Sequence, residues 1–324
     1  MSIIVAGDIG GTKTTLGLFD YSKNDIHCIK QQTYSSHDFD QFNDILLNFI
    51  ELISVSHIDI LSLSIAGPVV NQSCKTTNLP WHIYAPDLEK AFSISRVYLI
   101  NDIQATGFGL LHSAKINLIQ INPHAKFQPG NRAIISIGTG LGEAFMHWDG
   151  ESHHPFGTEG GHTDFAPLIA TDLELWKFFK KRFPDHISYE RVISGPGIAL
   201  LYDFLCEQKG LENTAPDKGK SAWVSNLAIT NEDDLCKETM ELFIRFLANE
   251  AANLALKTLS IGGVYIAGGI APKILPLLTQ THFIEYFIQK GRFKKILLEM
   301  PIWINKNEST PLHGAYWKAI SLLL

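Results

Sequence analysis

The sequence predicts an α/β protein of two domains, and three observations predict it. Short apolar strands alternate with stretches of helical periodicity, the pattern of a partly parallel sheet covered by helices. A strand, a glycine turn and a returning strand open the chain, and the same unit recurs near its middle. The length, 324 residues, is about twice the roughly 150 residues of an ordinary domain.

Taken in order, Ile3 to Ala6 is an apolar strand, followed by the turn Gly7-Asp8-Ile9-Gly10-Gly11-Thr12 and a second strand around Thr15 to Phe19. Phe39, Phe42, Ile45, Leu46, Phe49 and Ile53 recur at three- and four-residue spacing, which predicts an amphipathic helix. Ile58 to Ile65 is a mostly buried strand ending at Ala66-Gly67-Pro68, and Arg96 to Ile100 is another, ending at Asn101-Asp102. Arg132 to Ser136, the turn Ile137-Gly138-Thr139-Gly140-Leu141-Gly142 and the strand Ala144 to Trp148 repeat the opening. An internal duplication would set two similar domains across a cleft, each lending it a glycine hairpin. Leu173 to Phe179 and Glu238 to Leu259 read as helices, and Gly262 to Ala267 as a strand before Gly268-Gly269. Pro272 suits the first turn of a following helix. Asn213 to Ser221, polar and rich in Gly and Pro, is expected to be a mobile loop without catalytic groups.

Composition narrows the class. Apolar residues at 45% and charged residues at 19% describe an ordinary globular protein. A net charge of −6 argues against a nucleic-acid partner. No apolar run approaches the 18 or so residues of a membrane span. The longest, Thr258 to Pro272, is short, glycine-rich and bracketed by lysines. The N-terminus enters a strand directly, without an export signal. Cys28, Cys74, Cys206 and Cys236 are too dispersed for a disulfide framework, so the cytoplasm is the expected compartment.

The glycine turns point to phosphate. Gly10 and Gly11 allow close backbone approach, and bare amides with the Thr12 hydroxyl would form a concave donor array. The pattern is neither a Gly-x4-Gly-Lys-Ser/Thr loop nor Gly-x-Gly-x-x-Gly opening a helix, and a plain tight hairpin is the competing reading. Asp8 beside such a cradle could hold magnesium through water, and Lys13 could add charge or simply be solvated. Gly138-Thr139-Gly140 and Gly268-Gly269 make three glycine-rich strand exits, which together fit a nucleotide. Asn101-Asp102 at the carboxyl end of a strand is where ligands bind in open α/β sheets, or else a helix cap for Gln104 to Leu111. Asp102 as a base would suit a hydroxyl nucleophile in phosphoryl transfer. Glu159-Gly160-Gly161-His162 offers polar groups around a bend, suited to sugar hydroxyls that both donate and accept. A structural turn, or a metal site with His153 and His154, are its rivals. Glu190 reads by itself as a residue at a helix start beside Ser188.

These blocks, in this order, resemble the bacterial glucokinases that lack the zinc motif of the ROK group. The resemblance spans nearly the whole chain. Besides the turns above it includes Thr77-Asn78 and Trp81, Asp164-Phe165-Ala166-Pro167, Ser194-Gly195-Pro196-Gly197 and Ala267-Gly268-Gly269-Ile270. It implies an actin-like, hexokinase-type (ribonuclease H-like) fold with a central cleft. The small domain would be residues 1–111 plus about 303–324, and the large domain 112–302, the last helix returning to the small domain. It implies phosphorylation of glucose by ATP at the 6-hydroxyl, with Asp102 as base and Asn101, Glu159, His162 and Glu190 on the ring hydroxyls. Gly7 to Thr12 and Gly138 to Gly142 would hold the ATP phosphates, with Gly268-Gly269 by the adenosine. It further implies magnesium and a homodimer. Ile103 departs from the phenylalanine and Lys13 from the asparagine that many members carry, and Leu79-Pro80 precede Trp81. Those changes bear on sugar preference, so another hexose or amino sugar is the first rival substrate. A non-catalytic sugar sensor is the second rival reading, opposed by the negative charge and the retained Asp102.

Overall fold

The computed structural model describes residues 3–20, 26–76, 79–280 and 282–323. It divides into two compact units. The first runs to Ala114 and takes up Pro155–Gly157 and the chain from Ser309 onward. The second comprises Lys115–His154 and Thr158–Glu308.

In the first unit the strands are β1 (Ile3–Ile9), β2 (Lys13–Asp20), β3 (His27–Ser35) and, after helix α1 (Phe42–Ile53), β4 (Ile60–Ile65). A small hairpin of β5 (Ser73–Lys75) and β6 (His82–Tyr84) precedes α2 (Ala85–Phe92), β7 (Arg96–Asn101) and α3 (Asp102–Leu111). The main sheet has the order β3-β2-β1-β4-β7. β1 pairs antiparallel with β2 and parallel with β4, which is parallel to β7. Every residue of β4 is buried, as befits a strand covered on both faces. Alternation along β1 divides the core. Val5 and Ile9 pack with Ile45, Leu46 and Phe49 of α1, while Ile4 and Ala6 face the other way with Phe19 and Ile60. That second face is closed by the last helix of the chain through Leu312, Ala315, Tyr316, Ala319 and Ile320.

The second unit contains β8 (Leu118–Gln120), β9 (Arg132–Ile137), β10 (Leu141–Trp148) and the start of β11 (His153–Thr158). Helices α4 (Asp172–Arg182), α5 (Tyr189–Val192), α6 (Gly195–Lys209), α7 (Lys220–Thr230) and α8 (Asp234–Lys257) follow. Then come β12 (Gly263–Ala267), α9 (Leu275–Gln280), α10 (Phe283–Phe287), α11 (Lys294–Glu299) and β13 (Ile302–Asn305), and finally α12 (Thr310–Ser321) of the first unit. The sheet order is β11-β10-β9-β12-β13-β8. Its first five strands repeat the order of the other sheet, with an antiparallel β9–β10 hairpin and β12 parallel to both β9 and β13. The duplication suggested by the two glycine turns is thus present in the topology. Among the described residues no helix is long and apolar enough to cross a membrane.

Several expectations need correction. The chain re-enters the first unit at Ser309 rather than near 303, because β13 is held in the second sheet between β12 and β8. Residues 112–114 stay with the first unit, and so do Pro155–Gly157, whose Pro155 carbonyl accepts from Gln104 Nε2 at 2.9 Å. Pro272 sits in the turn at 271–274, ahead of α9. Lys220 and Ser221 belong to α7 rather than to the loop before it, and Asn213 Nδ2 and Lys220 Nζ both donate to Asp203 Oδ1, at 2.7 and 2.8 Å.

Candidate active site

The first glycine turn is a braced hairpin. Gly10 N donates to Lys13 O at 3.0 Å, and Ser36 fastens both sides through its hydroxyl on Gly10 O (2.9 Å) and its amide on Thr12 O (3.0 Å). Gly7, within β1, is tightly covered, since a Cβ would stand 2.6 Å from Leu63 Cδ2 and 2.7 Å from Leu16 Cδ2 and would push those side chains aside. Asp8 lies opposite Ser64 in the β1–β4 register, and the Ser64 hydroxyl donates to its Oδ1 at 3.0 Å. Burial pushes the Asp8 carboxyl up to about 6, against the opposing pull of that hydrogen bond and of Lys13. A carboxylate so short of compensation suits a cation nearby.

Asn101 and Asp102 form the joint between β7 and α3. Asn101 is the helix cap, its Oδ1 accepting from Ile103 N (3.1 Å) and Gln104 N (3.3 Å), while Nδ2 donates to Gly67 O at 3.0 Å. That leaves the second N–H of the carboxamide to donate elsewhere. Asp102 is the first residue of α3, with Ile103 N donating to its Oδ1 at 2.8 Å. The cap reading and the ligand reading of this pair are compatible: Asn101 caps, and Asp102 stands at the strand tip.

In the second unit the glycine blocks converge. Gly138 N closes its turn on Gly140 O at 2.9 Å, and Gly138 O accepts from Gly195 N, at the start of α6, at 2.9 Å. Gly268 has φ +88°, and a Cβ on it would lie 2.3 Å from Ile137 O, so only glycine allows β12 to exit against the end of β9. Ile270 N then donates to Ile137 O at 3.1 Å, and the Ser221 hydroxyl donates to Gly195 O at 2.6 Å. Thr139 sits in the turn, and Gly269 has open space around it.

Leu141 links this turn to the polar bend. Its amide donates to Glu190 Oε2 at 3.0 Å, and its carbonyl lies so close to Gly161 that a Cβ there would stand 2.0 Å away. The segment after His162 pairs with the one before Glu190, through Phe165 N to Ile187 O (2.9 Å) and Tyr189 N to Thr163 O (3.0 Å). Glu159 precedes the 3-10 turn Gly160–His162, and both Glu159 and His162 present exposed side chains. Glu190 and the bend that carries Glu159 and His162 therefore both abut Leu141 within one unit.

The other sequence candidates fare differently. His154 is bound to Asp149 at 2.6 Å and His153 to Gly130 O at 2.9 Å, which disperses the metal alternative. Among the described residues no group of three or more His, Cys, Asp or Glu could hold a metal ion. Trp81 is a core residue with its indole N–H on Phe39 O at 3.2 Å. Thr77 and Asn78 lie outside the described residues. Gly195 and Ser221, neither of which the sequence singles out as a candidate site residue, stand beside the Gly138 turn through the hydrogen bonds of Gly195 N to Gly138 O and of the Ser221 hydroxyl to Gly195 O.

The glucokinase family description matches residues 5–321. The chain belongs to the glucokinase family. A glucokinase from Nostoc sp. is 38% identical, with 97% of this chain and 98% of the relative aligned. The crystal structure of a glucokinase from an Antarctic psychrotroph superposes with a TM-score of 0.84 at 30% identity, covering 99% of both chains. A ROK family glucokinase from Streptomyces griseus, solved in complex with glucose and AMPPNP, shares the fold at a TM-score of 0.65 and 16% identity over 97% of this chain and 98% of that one. The fold is thus the actin-like fold of hexokinase and ROK sugar kinases. ATP-dependent phosphorylation of glucose is the activity that this family membership assigns.

Proposed function

We propose that Asp102 is the base that accepts the proton of the glucose 6-hydroxyl as the γ-phosphoryl group of ATP is transferred in line. The observation that carries the reading is the Asn101–Asp102 joint: a strand end and a capped helix start fix a carboxylate whose neighbour retains a free N–H donor. Phosphoryl transfer asks little covalent chemistry of the protein, so positioning and charge account for most of the rate. Asn101, Glu159, His162 and Glu190 are read as the hydrogen-bonding partners of the sugar hydroxyls. One oxygen of Glu190, Oε2, accepts the Leu141 amide, which fixes the carboxylate beside the Gly138–Gly140 turn.

The turns Gly7 to Thr12 and Gly138 to Gly140 are read as cradles for the ATP phosphates, and Gly268-Gly269 as the seat of the adenosine. The open space around Gly138 and Gly269 supports a ligand there. The AMPPNP bound by the Streptomyces griseus protein supports ATP as donor. Asp8 would hold magnesium through water, and the ion would neutralise charge on the phosphates. Homodimer assembly in the cytoplasm completes the reading, which the family resemblance supports.

A coupled ADP assay over a panel of sugars tests the substrate. Glucose is expected to turn over fastest, and equal turnover of mannose, fructose or N-acetyl sugars would overturn the assignment. Glu159→Ala tests the sugar contacts. Loss of a hydrogen bond to a charged group, about 1.5–3 kcal/mol, predicts a KM for glucose raised roughly 10- to 100-fold. The kcat is expected to change much less.

A further inference from the structure

Beneath the Gly160–His162 turn lies a buried carboxyl group that none of the roles above uses. Glu143, on β10, is 1% exposed. Its Oε1 has no hydrogen-bond partner among the described residues. Its Oε2 occupies the space next to Gly160, where a Cβ would stand 2.1 Å from it. The main chain of Glu143 is tied to the same place. Its carbonyl accepts the Thr158 hydroxyl at 2.9 Å, and Thr158 Oγ1 accepts Gly160 N at 3.1 Å. Side chain and backbone of one residue thus support the turn that carries Glu159 and His162.

A second carboxyl, Glu250 on α8, is fully buried and close enough for its charge to act on Glu143. Glu250 is well provided with donors. Asn253 Nδ2 reaches its Oε2 at 2.8 Å, and Lys257 Nζ stands 3.5 Å from its Oε1. Lys290 donates to the side-chain oxygens of Asn249 and Asn253, both at 2.5 Å, and Asn253 also donates to the Tyr189 hydroxyl at 3.2 Å. Among the described residues the charges that act on Glu143 are those of Glu250 and Lys257 on α8; Tyr189 on α5 and Lys290 after α10 face Glu250 and its neighbours, and Glu159 and His162 flank the turn that Glu143 underlies. Lys257 is the cation that acts on both acids, and it sits with Glu250. Two buried carboxylates sharing one partly solvated lysine is a costly state, and a single proton relieves it. The proton belongs on the carboxyl without donors, Glu143. Consistent with this, burial, and after it the charge of Glu250, push Glu143 up to about 8, with Lys257 pulling the other way.

We propose that Glu143 is a positioning residue of the glucose site: as the neutral acid, wedged against Gly160, it holds the Gly160–His162 turn in its sugar-binding form, and loss of its proton releases that turn. This rests on the reading of Glu159 and His162 as sugar contacts. The competent form is the protonated one, so affinity is kept at low pH and lost as the pH rises through the titration. If only that form binds sugar, about a tenth of the enzyme is competent at pH 9, and the apparent affinity falls about tenfold.

The test compares the parent with Glu143→Gln, which keeps the shape and cannot ionise. KM for glucose is measured from pH 6.5 to 9.5 at saturating ATP and magnesium, and Kd for glucose by calorimetry over the same range without ATP. The parent is expected to show KM and Kd rising about tenfold by pH 9 with little change in kcat, and the variant to show no such rise. A flat parent profile overturns the proposal, and so does an identical rise in the variant. If the variant does not fold, infrared spectra of the parent decide. A protonated-carboxyl band present at pH 7 and fading with the rise in Kd supports the proposal, and no band at pH 7 overturns it. The underlying site reading fails separately, if Glu159→Ala leaves KM unchanged.

Discussion

Replacing Asp102 with asparagine is expected to lower kcat by about 10²- to 10⁴-fold, the usual worth of a general base. Glucose affinity and folding should change little. Asparagine keeps the volume and retains an oxygen for the Ile103 amide, which Asp102 now engages at 2.8 Å. The cap of α3 is Asn101 and is untouched by the change. What disappears is the negative charge, whose interaction with the helix N-terminus is worth about 0.3–1 kcal/mol, so a small loss of Tm is expected from that contact. The residual rate would reflect the proposed phosphate cradles and sugar contacts, which the substitution leaves in place. Turnover by coupled ADP release, glucose titration by calorimetry and a thermal scan separate these effects. Near-normal turnover would remove Asp102 from the role of base. A collapse of glucose binding together with Tm would make it a structural residue instead.

How much of this was legible beforehand depended on whether the deciding contacts are local. The apolar residues Ile60, Leu61, Leu63 and Ile65 of β4 and the spaced residues Phe42, Ile45, Leu46 and Phe49 of α1 declare themselves because pleat and helix impose fixed periods on burial. The glycine turns declare themselves because close backbone approach excludes a Cβ, as at Gly268 against Ile137. No local pattern announces that Gly195 docks on Gly138, or that Glu190 reaches the Leu141 amide, because those partners meet only through the fold. By its own neighbourhood Glu190 starts a helix, which it does in α5, and its second role comes from across the chain. Glu143 hides for a different reason. An acid in a strand reads as solvent-facing, whereas β10 lies beneath the Gly160 turn and α8 brings Glu250 near. The first compact unit resumes at Ser309 rather than at about 303, a difference the sequence does not announce because β13 carries the same apolar signal whichever sheet it joins.

Gly314→Ala should be the most damaging single-methyl change in the first unit. In an ordinary helix the substitution stabilises by about 1 kcal/mol, since alanine restricts the unfolded chain and favours helix. Here the added Cβ would stand 1.7 Å from the Ala105 carbonyl oxygen and 3.0 Å from Gly109 N, both backbone atoms of α3. The reverse contact is equally tight, with a Cβ on Gly109 placed 2.2 Å from Thr310 O. Neither obstacle can swing aside as a side-chain tip would, so α3 and α12 must separate. Separation lifts Leu312, Ala315, Tyr316 and Ile320 from Ile4, Ala6, Phe19 and Ile60 and opens the core on that face. Overpacking of this kind costs about 3 kcal/mol or more, which outweighs the propensity gain and corresponds to a fall in Tm of roughly 10 °C. Because Asp102 begins α3, kcat should fall with the same change well below the new Tm. A thermal scan decides by its sign. A Tm raised by the propensity term alone would mean that the two helices do not meet through their backbones.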